Sequence, residues 1–137
     1  MPTLVKPPQL DSAIFTPSRC RVYKDSAQSI NNGTDTKLSF NQETYDNDTM
    51  HDNSTNNGRI TIKTAGVYLI IAQIAFASNT TGYRNIFLWL NGSTKFGSVY
   101  QGGASPSDRT VSRIVEIAPL AVNDYLEVSA QQNSGGA

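Results

Sequence analysis

The chain has 137 residues, enough for one domain whose core can be stable without disulfides or a metal. Its 11 basic residues balance its 11 acidic ones, so nothing predicts binding to nucleic acid or to an anionic membrane. Cys20 is the only cysteine, which excludes an intrachain disulfide. No apolar run reaches the roughly 18 residues that a membrane-spanning helix requires, so membrane insertion is not expected.

The first 18 residues are expected to form an extended arm. They contain Pro2, Pro7, Pro8 and Pro17, and proline cannot donate to a strand ladder. The segment is nevertheless too apolar for a solvated linker. We interpret residues 1–18 as an arm that docks on another subunit or on a larger assembly, with packing along its own domain as the alternative. The anchoring candidates are Leu4, Val5, Leu10, Ile14 and Phe15.

Residues 19–137 are predicted to form one all-β domain, because short apolar or alternating stretches are separated by turn residues and no helical period stands out. The polar segment Asn41–Gly58 is predicted as a loop, and Pro119 is expected to end the strand before it. On that strand, Val111, Val115 and Ile117 share one side. Strands are predicted at Arg19–Lys24, Lys37–Phe40, Arg59–Lys63, Val67–Ala77, Tyr83–Leu90, Lys95–Tyr100, Arg109–Ile117 and Tyr125–Gln131.

The predicted strand Val67–Ala77 is apolar on both faces. A strand on the outside of a single layer would alternate apolar with polar residues, so we expect this one to be covered on two sides. Either the fold or a partner chain supplies the second cover. One face carries Tyr68, Ile70, Ala72, Ile74 and Phe76, and the other carries Val67, Leu69, Ile71, Gln73 and Ala75.

A cluster of acidic residues with the only histidine, His51, suggests a metal loop at Asp46, Asp48 and Asp52. Its spacing lacks the glycine and the final glutamate of a calcium loop. We favour a structural loop in which Asp and Asn side chains bond their own backbone, with calcium as the weaker alternative.

Catalytic chemistry is not expected. One histidine makes a Ser-His-Asp or zinc site hard to build, and Glu43, Glu116 and Glu127 would act on a glycosidic bond only if the fold brought them together. We expect no enzymatic activity and no cofactor.

Three stretches carry a family resemblance: RVYKD to GVYLI (21–70), SNTTGYRNIFLWLNGS (78–93) and DYLEVSAQQNSGG (124–136). With Gly66-Val67-Tyr68 opening the central strand after Ile60-Thr61-Ile62, they resemble the C1q-like members of the tumour-necrosis-factor jelly-roll superfamily, in the version found in phage virion proteins.

The resemblance implies a two-sheet antiparallel jelly-roll sandwich that assembles as a homotrimer, in which sister subunits cover the second face of the central strand. The interface candidates are Tyr68, Ile70, Phe76, Val67 and Leu69. Family members usually have one more strand after the final glycine pair, between the first strand and the central one. Either the sequence is a fragment that lacks this strand, or another segment, such as the arm of this or a neighbouring chain, takes that position. We expect some strand to occupy it.

For function, the resemblance implies a non-enzymatic structural protein on the virion surface. It would be a capsid decoration, or a fibre or head accessory protein, anchored by its arm to other virion proteins such as the major capsid or fibre protein. The alternative is a receptor-binding or adhesive tip that recognises a carbohydrate or protein on the host surface. That tip would use the loops Asn41–Gly58 and Gln101–Asp108, with Tyr45, Tyr83 and Tyr100 as stacking platforms.

Overall fold

A computed structural model describes residues 16–104 and 106–137. Within these ranges the chain is all-β, with nine strands and no helix. The paired strands all run antiparallel, an arrangement consistent with a β-sandwich. The strands are β1 Cys20–Tyr23, β2 Thr36–Lys37, β3 Gln42–Asp46, β4 Arg59–Thr61, β5 Gly66–Phe76, β6 Tyr83–Leu90, β7 Thr94–Gly102, β8 Thr110–Leu120 and β9 Tyr125–Gln132.

Each strand predicted from the sequence overlaps a described strand, although Lys37–Phe40 does so only at Lys37, the last residue of β2. Three further details differ. The polar segment predicted as a loop contains β3, which pairs with β1. Strand β7 runs for 9 residues, longer than its weak pattern indicated. Strand β8 continues through Pro119, which pairs with Val67 instead of ending the strand. Proline is compatible with a strand when its nitrogen points away from the partner, and β5 is the only described strand paired with β8.

The strands form three hydrogen-bonded groups within the described residues. The largest has the order β2-β9-β6-β7, with β4 also paired to β9. The other two are the pairs β1-β3 and β5-β8. Strands β5 and β6, adjacent in the chain, therefore belong to different groups.

The core lies between the inward faces of these groups and has two apolar clusters. Alternation explains it: Ile86 and Leu88 on β6 point inward and are 0% and 1% exposed, while Phe87 between them points to the outer face. The first cluster contains Phe76, Ile86, Leu88, Ile114 and Ala130. The second contains Met50, Ile62, Leu120 and Leu126.

A glycine on β7 allows the layers to approach closely. A Cβ atom at Gly97 would lie 3.0 Å from Cγ2 of Ile114 and 3.3 Å from Cβ of Leu88. The absence of a side chain there lets Ile114 of β8 pack against the large sheet.

The resemblance implied two sheets, whereas the described strands form three groups because neither β1 nor β5 uses its second edge. Strand β1 pairs only with β3, and β5 only with β8, among the strands that the structure describes. The segment expected to pair there is not among the described residues, so that expectation stays a prediction.

Candidate functional site

The outer face of the β5–β8 pair is apolar and exposed. Val67, Leu69 and Ile71 are 73%, 63% and 61% exposed, and across the ladder Val115 and Ile117 are 55% and 69% exposed. The described part of the fold therefore does not supply the second cover expected for the central strand. We call this surface the β5–β8 face. It is built from the cross-strand pairs Val67–Pro119, Leu69–Ile117, Ile71–Val115, Gln73–Arg113 and Ala75–Val111.

The alternation of β5 divides the five interface candidates between its two faces. Val67 and Leu69 lie on the β5–β8 face. Phe76 belongs to the first core cluster, and Tyr68 and Ile70 are partly buried against the second. The interface candidates predicted from the sequence did not include Ile71 of β5 or Val111, Val115 and Ile117 of β8. The sequence pattern did show that these three β8 residues share one side.

The outer face of the large sheet also carries apolar rings, but its own side chains cover them. Lys95 places Nζ 3.5 Å from the ring centroid of Phe87, which is only 3% exposed. Lys37 places Nζ 4.5 Å from the Trp89 ring, whose Nε1 donates to Oγ of Ser129 at 2.7 Å. No comparable cover lies over the β5–β8 face among the described residues. The apolar groups on the outer face of the large sheet are therefore covered by the chain itself, whereas those on the β5–β8 face are exposed.

The acidic loop has the geometry of a structural turn. Oδ1 of Asp52 accepts from the backbone N–H groups of Ser54 and Thr55, at 2.8 and 2.9 Å. Oδ2 of Asp46 accepts from the backbone N–H of His51 at 2.8 Å, and Oδ2 of Asp48 accepts from the Ser18 hydroxyl at 2.6 Å. Four of the six carboxylate oxygens of Asp46, Asp48 and Asp52 therefore accept hydrogen bonds from the chain itself. Among the described residues no group of three His, Cys, Asp or Glu side chains is arranged to hold a metal.

His51 is a buried link between β3 and the end of this loop. Its Nδ1 lies 2.9 Å from Oε1 of Glu43 and its Nε2 lies 3.1 Å from the carbonyl oxygen of Asn57. The three candidate glutamates serve separate places: Glu43 binds His51, Glu116 is on β8, and Glu127 is on β9. The described chain does not bring them together as a pair that acts on one bond.

Several titratable groups have a pKa that is shifted for structural reasons, among them Asp52, Asp124, Glu127 and Cys20. The backbone N–H of Thr55 is the largest contribution to the low pKa of Asp52, about 2. The side chain of Asn91 is the largest contribution to the lowered pKa of Asp124. Burial acts to raise the pKa of Glu127, but hydrogen bonds from Lys37 and Arg59 outweigh it and lower the pKa.

Burial, reinforced by Asp46 and then Glu43, raises the pKa of the Cys20 thiol to about 12. A thiol with this pKa is almost wholly protonated at neutral pH, so Cys20 is a poor nucleophile.

The two candidate receptor-binding loops lie at opposite ends of the fold. Met50, in the first loop, accepts from the N–H of Thr61 on β4, beside the start of β9. Gly103, in the second, donates to Gly82 near the end of β9. Tyr100 and Tyr83 are on neighbouring strands β7 and β6, whereas Tyr45 is on β3. One binding surface made of both loops and all three tyrosines is therefore not formed within a single chain.

The anchoring candidates Leu4, Val5, Leu10, Ile14 and Phe15 lie outside the described residues. From Thr16 the chain leads into β1. It enters at the end of the fold where β3 ends and the following loop begins. There, Arg19 donates its backbone N–H to Oδ1 of Asn47 at 2.8 Å.

Comparison of the sequence with protein-family models gives no match, and comparison with curated proteins gives no significant one. Within the described ranges there is no helix long and apolar enough to cross a membrane.

Proposed function

We propose that this chain is a non-enzymatic structural protein of a phage virion surface that associates as a homotrimer through the β5–β8 face. The proposal includes a jelly-roll arrangement of the strands and attachment to the particle through the arm, residues 1–18. The exposed apolar β5–β8 face carries the proposal. The assignment to virions and the number of copies rest on the family resemblance.

Burial of the β5–β8 face would contribute free energy of the same order as the cost of association. Fully burying one Val, Leu or Ile side chain contributes about 1.5–3 kcal/mol. Six such side chains on the face, Val67, Leu69, Ile71, Val111, Val115 and Ile117, are 47% to 73% exposed in the single chain. Their burial is of order 10 kcal/mol per chain, comparable with the roughly 4–15 kcal/mol cost of association. Contiguous apolar surface of this kind typically marks a protein interface.

The chemistry of the face suits binding and not catalysis. Its one polar pair is Gln73 and Arg113, and it carries no acid, thiol or imidazole. A mechanism of association needs only burial of apolar surface, with trivalent display of the arm multiplying weak contacts to the particle.

Light scattering on the full chain tests self-association. The wild-type chain is expected to have three times the mass of one chain at micromolar concentration. Ile71→Lys places a charge within the face and should weaken association roughly 100-fold or more, giving monomers. Val122→Lys is the matched control, because Val122 is 51% exposed in the turn after β8 and is not among the residue pairs that build the face. A wild-type monomer, or equal masses for both variants and the wild type, would contradict the proposal.

Attachment to the particle needs its own test. In phages that carry Leu4→Asp/Val5→Asp in this chain, we expect the protein to be lost from purified particles while its trimeric mass in solution is kept. Quantitative mass spectrometry of particles gives the copy number. Hundreds of copies indicate decoration of the shell, and a few indicate a tail or fibre.

A receptor-binding tip is the second candidate, and it is favoured by one observation. Tyr100 is 66% exposed and packs edge-on against Phe87, with ring centroids 5.7 Å apart, and Tyr83 is on the adjacent strand. These rings lie towards the end of the sheet opposite the start of β1, and this end would face outward if the arm attaches to the particle. Tyr100→Ala should then abolish binding to host cells or purified surface glycans, while Tyr45→Ala on the separate β1–β3 pair should not. Equal binding by all three proteins would exclude this role for Tyr100.

A further inference from the structure

The second edge of β5 has no partner strand in the described part of the chain. Strand β5 has 11 residues, and every one of them pairs with β8 on the first edge. In an antiparallel ladder about half of the N–H and C=O groups of a strand point to each edge. A long uncharged edge of this kind is a template for another strand, and natural proteins normally cover it.

Most inward-facing side chains of β5 are incompletely buried, which indicates that the core is not fully covered along the second edge of this strand. Ala72 and Ile74 face the core and are only partly buried, whereas their partners on β8, Ile114 and Ser112, are 3% and 0% exposed. Cys20 of β1 packs against the second cluster together with Tyr68 of β5. Strands β1 and β5 thus border one cluster, yet neither pairs with the other. A two-stranded unit has little stability by itself, so both pairs gain from a strand added at these edges.

We propose that residues 9–15 of a neighbouring copy of this chain bind as an added strand along the second edge of β5. This segment, QLDSAIF, is the longest proline-free run of the arm before Thr16. As a strand it spans about 23 Å, roughly two thirds of β5. Its alternation would place Leu10 and Ile14 on one side, where they would cover the partly buried residues of the second cluster, and Phe15 on the other. Main-chain hydrogen bonds supply the affinity of this mode of binding, and alternate side chains supply its specificity.

The course of the chain before β1 favours a neighbouring copy over the same chain. Nδ2 of Asn47 donates to the carbonyl of Pro17 at 3.0 Å, and Oδ1 of Asn47 accepts from the N–H of Arg19. In extended backbone a carbonyl and the N–H two residues later point to the same side, so these two bonds fit residues 17–19 continuing the line of β1 past the end of β3. To reach its own β5, the arm would have to reverse before Pro17. That reversal would use up part of residues 9–15 and bring Pro7 and Pro8 into the strand.

Hydrogen exchange on the full chain tests occupancy of the edge. Ser12→Pro/Ala13→Pro removes two adjacent N–H groups, one for each side of the added strand, so pairing must fail. We expect about a third of the β5 amides to exchange at least about ten-fold faster in this variant, with β6 unchanged because it is paired on both edges. The control Ser12→Ala/Ala13→Ser keeps both N–H groups and should behave as the wild type. Unchanged β5 exchange in the proline variant would overturn the proposal.

A cross-linking experiment identifies the source of the strand. A ¹⁵N-labelled chain with a photoreactive benzoylphenylalanine at Phe15 is unfolded, refolded with an excess of unlabelled chain and irradiated. Cross-linked peptides that join ¹⁵N arm to unlabelled β5 support the neighbouring copy. Peptides with both parts labelled, or no product on β5 or β1, would overturn it.

The inference rests on the proposed self-association, because a neighbouring copy must be present. Light scattering on the same samples separates the two failures. A monomeric wild type contradicts both proposals. A trimer in which the proline substitutions leave the hydrogen exchange of β5 unchanged contradicts only this one.

Discussion

Arg113 and Gln73 form the only polar pair on an otherwise apolar outer face. Nε of Arg113 donates to Oε1 of Gln73 at 2.9 Å, and Nη2 donates to the same oxygen. Gln73 is neutral, so the positive charge of Arg113 has no counter-charge in this pair. In the proposed trimer this charge would be buried between subunits at a cost, and we propose that the pair is kept there for specificity. A polar pair aligned with its counterparts in sister chains would favour one register and one number of copies.

The first prediction follows from that pair. In Gln73→Leu/Arg113→Leu the whole β5–β8 face becomes apolar, and we expect association at least as strong as in the wild type but with loss of a single defined mass. Native mass spectrometry should show trimers together with larger species. Arg113→Lys, which keeps the charge, is the control and should remain uniform. A double-leucine variant that stays wholly trimeric would show that the pair does not determine the copy number.

The second prediction concerns Glu127, which holds two short strands against β9. Its oxygens lie 2.9 Å from Nζ of Lys37 on β2 and 3.2 Å from Nε of Arg59 on β4. We expect Glu127→Gln to lower the free energy of unfolding by about 1 kcal/mol near pH 7, the usual scale for two partly exposed ion pairs.

The pH dependence of that effect has a defined sign. The pKa of Glu127 is lowered in the folded chain, so its contribution is complete above the ordinary value of 4.5 and is lost as the pH falls through the lower folded value. Urea unfolding of wild type and Glu127→Gln from pH 7 to pH 3 should therefore give curves that converge in acid. A constant difference across this range would mean that the ion pairs are not its cause. Added salt should also reduce the difference at pH 7.

The third prediction compares two glycines with the same backbone angle. Gly82 and Gly33 both have φ of +71°. A Cβ atom at Gly82 would collide with the backbone and side chain of Asn133, whereas at Gly33 nothing lies within 4 Å. We expect Gly33→Ala to cost about 1–2 kcal/mol for the left-handed conformation alone and Gly82→Ala about 2 kcal/mol more. Thermal unfolding measures both, and equal losses would show that the contact with Asn133 relaxes freely.

The long apolar strands could be predicted from the sequence because burial forces their pattern. Ile86, Leu88 and Leu90 had to share the inner face of β6, and the structure places them so. Strand β3 could not be predicted, because Gln42–Asp46 pairs with β1 at a half-exposed border where polar residues are tolerated on both faces. Its residues therefore do not alternate between apolar and polar as they would in a strand with one face in the core.

The orientation of β5 could not be decided from its own residues, since both of its faces are apolar. Its partner decides it. On β8 the inward positions include Ser112, 0% exposed, whose hydroxyl donates to Gln101 at 2.7 Å, while the exposed positions include Val115 and Ile117. A prediction that places serine on the exposed face and valine on the buried face would assign the two faces of β8 the wrong way round. The inversion occurs because the exposed face of β8 is apolar, and in the proposed self-association that face contacts another chain.

The fourth prediction concerns calcium at the acidic loop. Asp46 and Asp52 already accept hydrogen bonds from backbone N–H groups, so a cation would have to displace donors that the fold supplies. We expect the melting temperature in millimolar calcium to equal that in a chelator. Asp52→Ala should lower it equally in both, because the loss is that of a turn and not of a ligand. The pKa of Asp52, about 2, means that this contribution persists to low pH and disappears as the pH falls from 3.8 through 2. Stabilisation by calcium that Asp46→Asn or Asp48→Asn abolishes would show instead that the loop rearranges into a metal site.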